Sequence, residues 1–210
     1  MTLLRVDASI RGAASASSPL ADLVLAEFSA IRPDEPVVTR HLGDQPLPAS
    51  SLRMLINAAF TPEADSSPEQ AQASALASAI VAELSGADAA VLAFPLYNWG
   101  VSQHVKAWID LAINGSPPGT RLLEGKPVVL VTARGSAYGP GAPREGQDFN
   151  TPYLRHVLVN IWGADLTVVE RDLNFVGVIP AFERFSEEAG KMKQAAEEAA
   201  ARAGRILASR

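Results

Sequence analysis

Five short apolar runs alternate along the chain with longer segments in which apolar residues recur at helical spacing. A run of about four to eight apolar residues is typical of a buried strand, and recurrence every three to four residues predicts an amphipathic helix. The runs predict strands at 3–8, 37–42, 89–94, 128–132 and 166–170. The periodic segments predict helices at 19–31, 52–60, 68–84, 102–113, 153–162 and 181–207. Ser18 is expected to be the N-cap of the first helix, because Pro19 follows it.

This alternation predicts an α/β fold in which helices cover both faces of a five-stranded parallel sheet. At this chain length the pattern fits the flavodoxin-like doubly wound order 2-1-3-4-5 at least as well as a full Rossmann domain. No internal repeat or composition change divides the chain, so residues 1–210 are expected to form a single domain.

Composition narrows the chemistry. The chain has no cysteine, which excludes disulfides, thiolate nucleophiles and cysteine-ligated metals, so redox chemistry requires a cofactor. The net charge of -5 is dispersed, which argues against binding to nucleic acid or an anionic membrane. No apolar stretch approaches the roughly 20 residues of a membrane span, and Arg5 and Asp7 interrupt the N-terminal apolar run. We expect a cytoplasmic protein with small molecules or itself as partners.

A serine-rich loop follows the first predicted strand and precedes a helix N-terminus. Ser9, Ser15, Ser17 and Ser18 supply hydroxyl groups there, and Arg11 is the nearby cation. Hydroxyls and free amides at the positive end of a helix dipole are suited to binding a phosphate. The loop has neither G-x-x-x-x-G-K-[ST] nor G-x-G-x-x-G, which leaves a monophosphate as the favoured ligand. The alternative is an ordinary turn with a good helix cap.

An aromatic segment, Tyr97-Asn98-Trp99, follows the third predicted strand. In the order 2-1-3-4-5, the loops after strands one and three flank the point where ligands bind, so this segment and the serine loop should face each other. A phosphate site opposite an aromatic shelf indicates flavin mononucleotide, FMN. The loop at 132–139 should meet the polar edge of the ring, with Gly135 allowing close approach of the main chain. Alternatively, the aromatic residues only cover the core.

Other chemistries find little support in the sequence. The three histidines occur singly, with no second ligand three or four residues away, so no metal site is predicted. No G-x-S-x-G elbow of a serine hydrolase is present.

Taken together, these motifs resemble the FMN-dependent NADH azoreductase and NADH:quinone oxidoreductase family, whose fold is flavodoxin-like. The resemblance covers essentially the whole chain. It is carried by the serine loop, Ala59-Phe60-x-Pro62-Glu63, Pro95-Leu96-Tyr97-Asn98-Trp99, Thr132-Ala133-Arg134-Gly135-Ser136 and Thr151-Pro152-Tyr153-Leu154. The chain departs from the family at Ser136, where glycine is frequent, and at Trp99 and Gly100, where phenylalanine or asparagine is frequent.

The resemblance implies FMN contacts, a homodimer with active sites at its interface, and a two-electron ping-pong reaction. NADH or NADPH would reduce the flavin, and a quinone, azo or nitroaromatic acceptor would then reoxidise it. No catalytic acid or base residue is assigned. The implied FMN contacts are Ser9, Ser15, Ala16, Ser17, Leu96, Tyr97, Asn98, Trp99, Ala133, Arg134, Gly135 and Ser136.

Phe60, Tyr138 and Trp162 are candidates for lining the substrate pocket, although isolated aromatic residues are often core residues. Two alternatives share the fold and the cofactor. One is a flavodoxin-type electron carrier, and the other is a non-enzymatic FMN-binding sensor.

Overall fold

The computed structural model describes residues 1–210, with the exception of the Glu63 side chain. Five parallel strands form one sheet, in agreement with the five apolar runs. The strands are β1 (Leu3–Asp7), β2 (Val37–His41), β3 (Ala89–Ala93), β4 (Pro127–Ala133) and β5 (Asp165–Arg171). Their order is β2-β1-β3-β4-β5, which confirms the predicted doubly wound topology.

Six α-helices connect and cover the strands. They are α1 (Ser18–Ile31), α2 (Ser51–Ala58), α3 (Pro68–Gly86), α4 (Gln103–Asn114), α5 (Thr151–Arg155) and α6 (Ser186–Ala208). Short 3-10 turns lie at Gly12–Ala14, Glu63–Asp65 and Pro180–Phe185. Within the described part of the chain, no helix is both long enough and apolar enough to cross a membrane.

The core has two layers because successive side chains of a strand point to opposite faces of the sheet. Leu4, Val6 and Leu92 belong to the layer beneath α3 and α4, and the largest buried side chains of this layer are Trp108 and Trp162. Leu3 and Val91 belong to the other layer, which α1 and α6 cover. Alternation along β1 and β3 therefore places helices on both faces of the sheet and leaves the strand ends accessible.

Two predicted helices differ from the structure in form. The segment predicted at 153–162 begins as α5 and continues as a π-helix over His156–Ile161. The segment predicted at 181–207 is the 3-10 turn Pro180–Phe185 followed by α6. Apolar periodicity detected the buried face in both cases, but it carries no information on hydrogen bonding between residues three, four or five apart.

The start of α1 also differs from the prediction. Ser18 is the first helical residue, and Ser17 is the N-cap, without a side-chain cap hydrogen bond. Ser15 instead accepts hydrogen bonds from the Ser18 amide at 3.1 Å and from the Ser18 hydroxyl at 2.9 Å. The predicted cap at Ser18 was therefore wrong by one position, because a serine three residues before it accepts from its amide.

Candidate functional site

A pocket of about 270 Å³ opens at the carboxyl ends of the strands. Its walls come from the loops that follow β1, β3, β4 and β5. This is the place where doubly wound sheets bind ligands, because the crossovers diverge there to opposite faces of the sheet. The loops after β1 and β3 form opposite walls of one cavity.

The loop after β1 forms the polar end of the pocket. Ser9, Arg11 and Ala16 line the cavity. Behind them, the hydroxyls of Ser15 and Ser17 lie 3.3 Å apart, and both side chains are buried. These two serines hold the loop against the start of α1, whose dipole adds positive potential at this end.

The segment after β3 is a tight reversal. Backbone hydrogen bonds join Tyr97 and Gly100 in both directions, at 2.9 and 3.3 Å. The two central residues, Asn98 and Trp99, have φ of 47° and 64°. Two left-handed residues in succession are the signature of a type I′ turn. Asparagine tolerates this conformation, whereas tryptophan there stores backbone strain of the kind that clusters at ligand sites.

Tyr97 connects this turn to the serine loop. Its hydroxyl accepts a hydrogen bond from the Ile10 amide at 3.2 Å and lies 3.5 Å from the Ser9 hydroxyl. Leu96, at the base of the turn, is buried and donates through its amide to the Ala133 carbonyl at 3.1 Å. These contacts fix the distance between the polar end of the pocket and its aromatic end.

Trp99 leaves 47% of its surface exposed beside the cavity. Its carbonyl accepts from the Phe149 amide at 2.9 Å. The Arg144 guanidinium lies over its ring, 5.7 Å from the ring centroid, within the range of a cation–π contact. The glycine-rich loop after β4 is thereby attached to the turn.

Ala133, the last residue of β4, lines the pocket, and Gly135 and Ser136 line it directly after the strand. A Cβ atom on Gly135 would clash with ring carbons of Phe175. Glycine therefore makes room here for a neighbouring side chain, and a larger residue would displace the Phe175 ring. The Phe175 amide also donates to the Gly135 carbonyl at 3.3 Å, which fixes the segment after β5 to this wall.

Arg134 does not line the pocket, although its neighbours Ala133 and Gly135 do. Its guanidinium is buried and bonds to three carboxylates, at Asp172, Asp148 (2.9 Å) and Glu170 (3.1 Å). Asp172 also accepts from the Tyr138 amide at 2.9 Å. This cluster ties the glycine-rich loop to the ends of β4 and β5, so Arg134 acts from behind the wall.

The pKa of Asp148 reflects this environment. Burial acts to raise its pKa, but hydrogen bonds from the Thr151 amide and hydroxyl and from Arg134 outweigh burial and hold the pKa below its ordinary value. Asp148 therefore stays ionised as the counter-charge of Arg134.

Comparison with known proteins agrees with this architecture. A family model described as "Flavodoxin-like fold" matches residues 1–205. The chain belongs to the flavodoxin-like family.

Relatives of this flavodoxin-like protein include the FMN-dependent NADH:quinone oxidoreductase of Frankia alni, 34% identical over 94% of this chain and 95% of the relative. The FMN-dependent NAD(P)H:quinone oxidoreductase 1 of Pseudomonas aeruginosa is 35% identical over 80% of this chain and 84% of its own length. The azoreductase of Bacillus anthracis strain Sterne superposes with a TM-score of 0.80 at 24% identity, over 98% of this chain and 99% of that one. The likeness to the last protein concerns the fold.

Two of the three predicted pocket residues of this flavodoxin-like protein lie elsewhere in the monomer. Tyr138 lines the pocket. Phe60 does not, and 86% of its surface is exposed in the turn after α2. Trp162 is 1% exposed and packs edge-to-face on Trp108 with ring centroids 5.6 Å apart. Assigning Trp162 to the pocket was wrong, because the π-helix directs it into the core.

Five residues that line the pocket were not among the predicted site residues: Arg11, Pro95, Arg144, Asn174 and Phe175. Arg11 and Pro95 lie close to predicted contacts, in the loops after β1 and β3. For Asn174 and Phe175, which follow β5, a signal existed, because every loop at the carboxyl edge of a parallel sheet borders the ligand site. For Arg144 the sequence offers none, since the loop has no periodicity that shows which side chains face inward.

Proposed function

We propose that this protein is an FMN-dependent NAD(P)H oxidoreductase that reduces quinones and aromatic azo compounds. The observation that carries the proposal is a single pocket with a polar, cationic end at Ser9 and Arg11 and an aromatic end at Trp99. The oxidoreductase names of the Frankia and Pseudomonas relatives support the activity and the choice of cofactor and donor.

The residues present fit FMN. A monophosphate needs donors without competing negative charge, and among the described residues none that lines the pocket is acidic. Hydrogen bonds to a charged group contribute roughly 1.5 to 3 kcal/mol each, so a few donors of the serine loop together with Arg11 suffice to hold a phosphate. The strained turn at Asn98 and Trp99 supplies a flat apolar surface of the kind that a fused ring requires.

In this proposal Ser9 and the segment Ser15 to Ser17 hold the phosphate, while Leu96 to Trp99 and Ala133 to Ser136 surround the ring. FMN bound there supplies two-electron hydride transfer from NADH or NADPH to the acceptor. The chain itself positions the reactants: Trp99 offers a half-exposed face for stacking, and Tyr138 also lines the pocket. No lining residue of the described chain is a carboxylate or a histidine, which agrees with a mechanism that needs no protein acid or base for the first transfer.

We also propose a homodimer whose interface borders the pocket. Ile10 and Phe149 are 59% and 64% exposed, and their amides bond to Tyr97 and Trp99 of the turn. Large apolar side chains clustered at a ligand site indicate a surface that another molecule covers. In a two-fold dimer the same patch would cover its own copy, and the exposed Phe60 is our candidate for a residue reaching the partner's pocket. Light scattering that gave a fully active monomer of 22.1 kDa would contradict the dimer.

Steady-state kinetics test the activity. Because one stacking face cannot hold nicotinamide and quinone together, the donor must leave before the acceptor binds. Varying NADH at several fixed quinone concentrations should give parallel double-reciprocal lines, and NADH alone should bleach the bound flavin. Intersecting lines would require two separate sites. Failure of both NADH and NADPH to bleach the flavin would instead favour an electron carrier, and bleaching without quinone turnover would favour a sensor.

A further inference from the structure

The pocket contains two positive charges and, among the described residues that line it, no negative one. Arg11 lies at the serine-loop end, and Arg144 lies beside Trp99 at the aromatic end. The chain as a whole carries a net charge of -5, so the positive charge of the pocket lining is opposite in sign to that of the whole protein. One charge is accounted for by the phosphate of the proposed cofactor. The other charge, that of Arg144, has no role in the proposed reaction.

Arg144 is held in place at the aromatic end. Its guanidinium lies over the Trp99 ring at 5.7 Å from the centroid, and the adjoining chain is fixed by the bond from the Phe149 amide to the Trp99 carbonyl at 2.9 Å. A second bond inside the loop, from the Gly141 amide to the Glu145 carboxylate at 2.8 Å, turns that carboxylate toward the loop backbone. Arg144 forms no ion pair with the described carboxylates, in contrast to Arg134, which binds three.

A guanidinium held over an aromatic ring is well placed to bind the anionic group of a flat aromatic reactant. It remains charged at any physiological pH and donates in a planar fork that matches carboxylate, sulfonate or phosphate oxygens. The ring beneath it limits the rotamers of Arg144, so less conformational entropy is lost when an anion binds. A flat reactant that stacks beside Trp99 and carries an anionic group would satisfy both the ring and the charge.

We infer that Arg144 selects reactants with an anionic group at the aromatic end of the pocket. This rests on the proposed function and adds to it a class of reactant. The anion has two sources, a carboxylate or sulfonate on an aromatic acceptor and a phosphate of the nicotinamide donor, and the experiment separates them.

The experiment compares wild type with Arg144→Gln, which removes the charge, and Arg144→Lys, which keeps it. Arg184→Gln is the matched control, because the Arg184 guanidinium also lies over an aromatic ring, Phe185 at 4.7 Å, but not at this pocket. For each FMN-loaded protein, kcat/KM is measured for naphthoquinone and its monosulfonate as acceptors. It is also measured for NADH and a phosphate-free N-benzyl dihydronicotinamide as donors. Taking each variant relative to wild type with the same reactant cancels differences in reduction potential.

We expect Arg144→Gln to lower kcat/KM for the sulfonate about five- to tenfold more than for the uncharged quinone. This factor lies between the effects of removing an exposed and a buried charge pair. Arg144→Lys should retain most of the preference, and Arg184→Gln should leave it unchanged. The preference should also shrink at high salt, since the site is partly open to solvent. A selective loss for NADH over the phosphate-free donor would identify the donor phosphate as the anion instead.

A second measurement does not depend on turnover. Equilibrium dialysis of naphthalenesulfonate against the oxidised protein should show affinity reduced several-fold in Arg144→Gln and not in Arg184→Gln. Equal changes for charged and uncharged reactants, or unchanged naphthalenesulfonate affinity, would overturn the inference. A different result would separate the two proposals. If the wild type reduces no acceptor but Arg144→Gln still weakens naphthalenesulfonate binding, the proposed function is contradicted and the anion site is supported.

Discussion

Replacing Arg134 with methionine tests whether the charge cluster behind the pocket holds the fold together. The substitution preserves much of the side-chain volume but leaves Asp148 and Asp172 buried without their counter-charge. Removing one partner of a buried ion pair typically costs about 3 to 5 kcal/mol. For a chain of this length, that free energy corresponds to a melting temperature lower by roughly 6 to 20 °C. The control Arg205→Met removes a partner of the exposed pair with Glu27 and should cost about 1 kcal/mol or less.

The pH dependence of the Arg134→Met deficit follows from Asp148. In the wild type the lowered pKa of Asp148 stabilises the fold above the ordinary aspartate pKa, and this stability is lost as pH falls through the lowered value. In the variant, the loss of the Arg134 cation while burial persists raises the pKa of Asp148 relative to the wild type. Lowering the pH from about 7 to about 5 should therefore favour protonation of Asp148 in the variant and reduce the difference in unfolding free energy between variant and wild type.

The assay is urea unfolding at both pH values, extended to Asp172→Asn and to the double variant Arg134→Met/Asp172→Asn. Because each single variant breaks the same contact, the double variant should lose less than the sum of the singles by about 1 kcal/mol or more. A deficit below about 1 kcal/mol, additive losses, or a deficit that grows on acidification would refute the reasoning.

Three further predictions concern the pocket and the core. Saturation with FMN at about 100 times its dissociation constant should stabilise flavin-free protein by roughly 2.7 kcal/mol, raising the melting temperature by roughly 5 to 11 °C; an unchanged thermal scan would remove the basis of the proposal. Gly135→Ala should cost about 1 to 3 kcal/mol in chemical unfolding because its Cβ meets Phe175, and Phe175→Leu in the same chain should recover part of that loss. Trp162→Ala should lower the free energy of unfolding by about 3 to 5 kcal/mol, because it removes a core side chain. Trp99→Ala should mainly weaken acceptor turnover or affinity, by roughly two- to twelvefold. The reverse pattern in melting and kinetic assays would contradict the assignment of Trp162 to the core and of Trp99 to the pocket.

The centre of the sheet was predictable because β1, β3 and β4 are buried on both faces. β3 and β4 consist almost entirely of apolar residues, and a continuous apolar run bounded by turns has few other interpretations. β2 is an exposed edge strand, and it was predicted as one of the five runs that alternate with helical segments. The order of the strands followed from their number and the chain length rather than from any single residue.

The site was predictable to the extent that its residues lie next to strand ends. Ser9 and Leu96 follow β1 and β3 closely, and Ala133 ends β4, so the topology alone brings these residues together. Arg144 lies 11 positions after Ala133 in a loop without regular structure, and only tertiary contacts show that it points inward. Trp162 was misassigned for a related reason, since its direction depends on the form of the helix before it.

The π-helix at His156–Ile161 accommodates one residue more than an α-helix of the same span would. Its hydrogen bond from the Trp162 amide reaches the Val157 carbonyl, five residues back. In an α-helix each residue advances the direction of the side chain by about 100°. Deleting one residue between Val157 and Trp162 would turn this bond into an α-helical one, four residues back, and leave Trp162 facing Trp108. If the segment kept its extra residue but closed into an α-helix, Trp162 would instead rotate by about 100° away from Trp108. Sequence alignments that place a gap in this segment should therefore be anchored on the tryptophan pair.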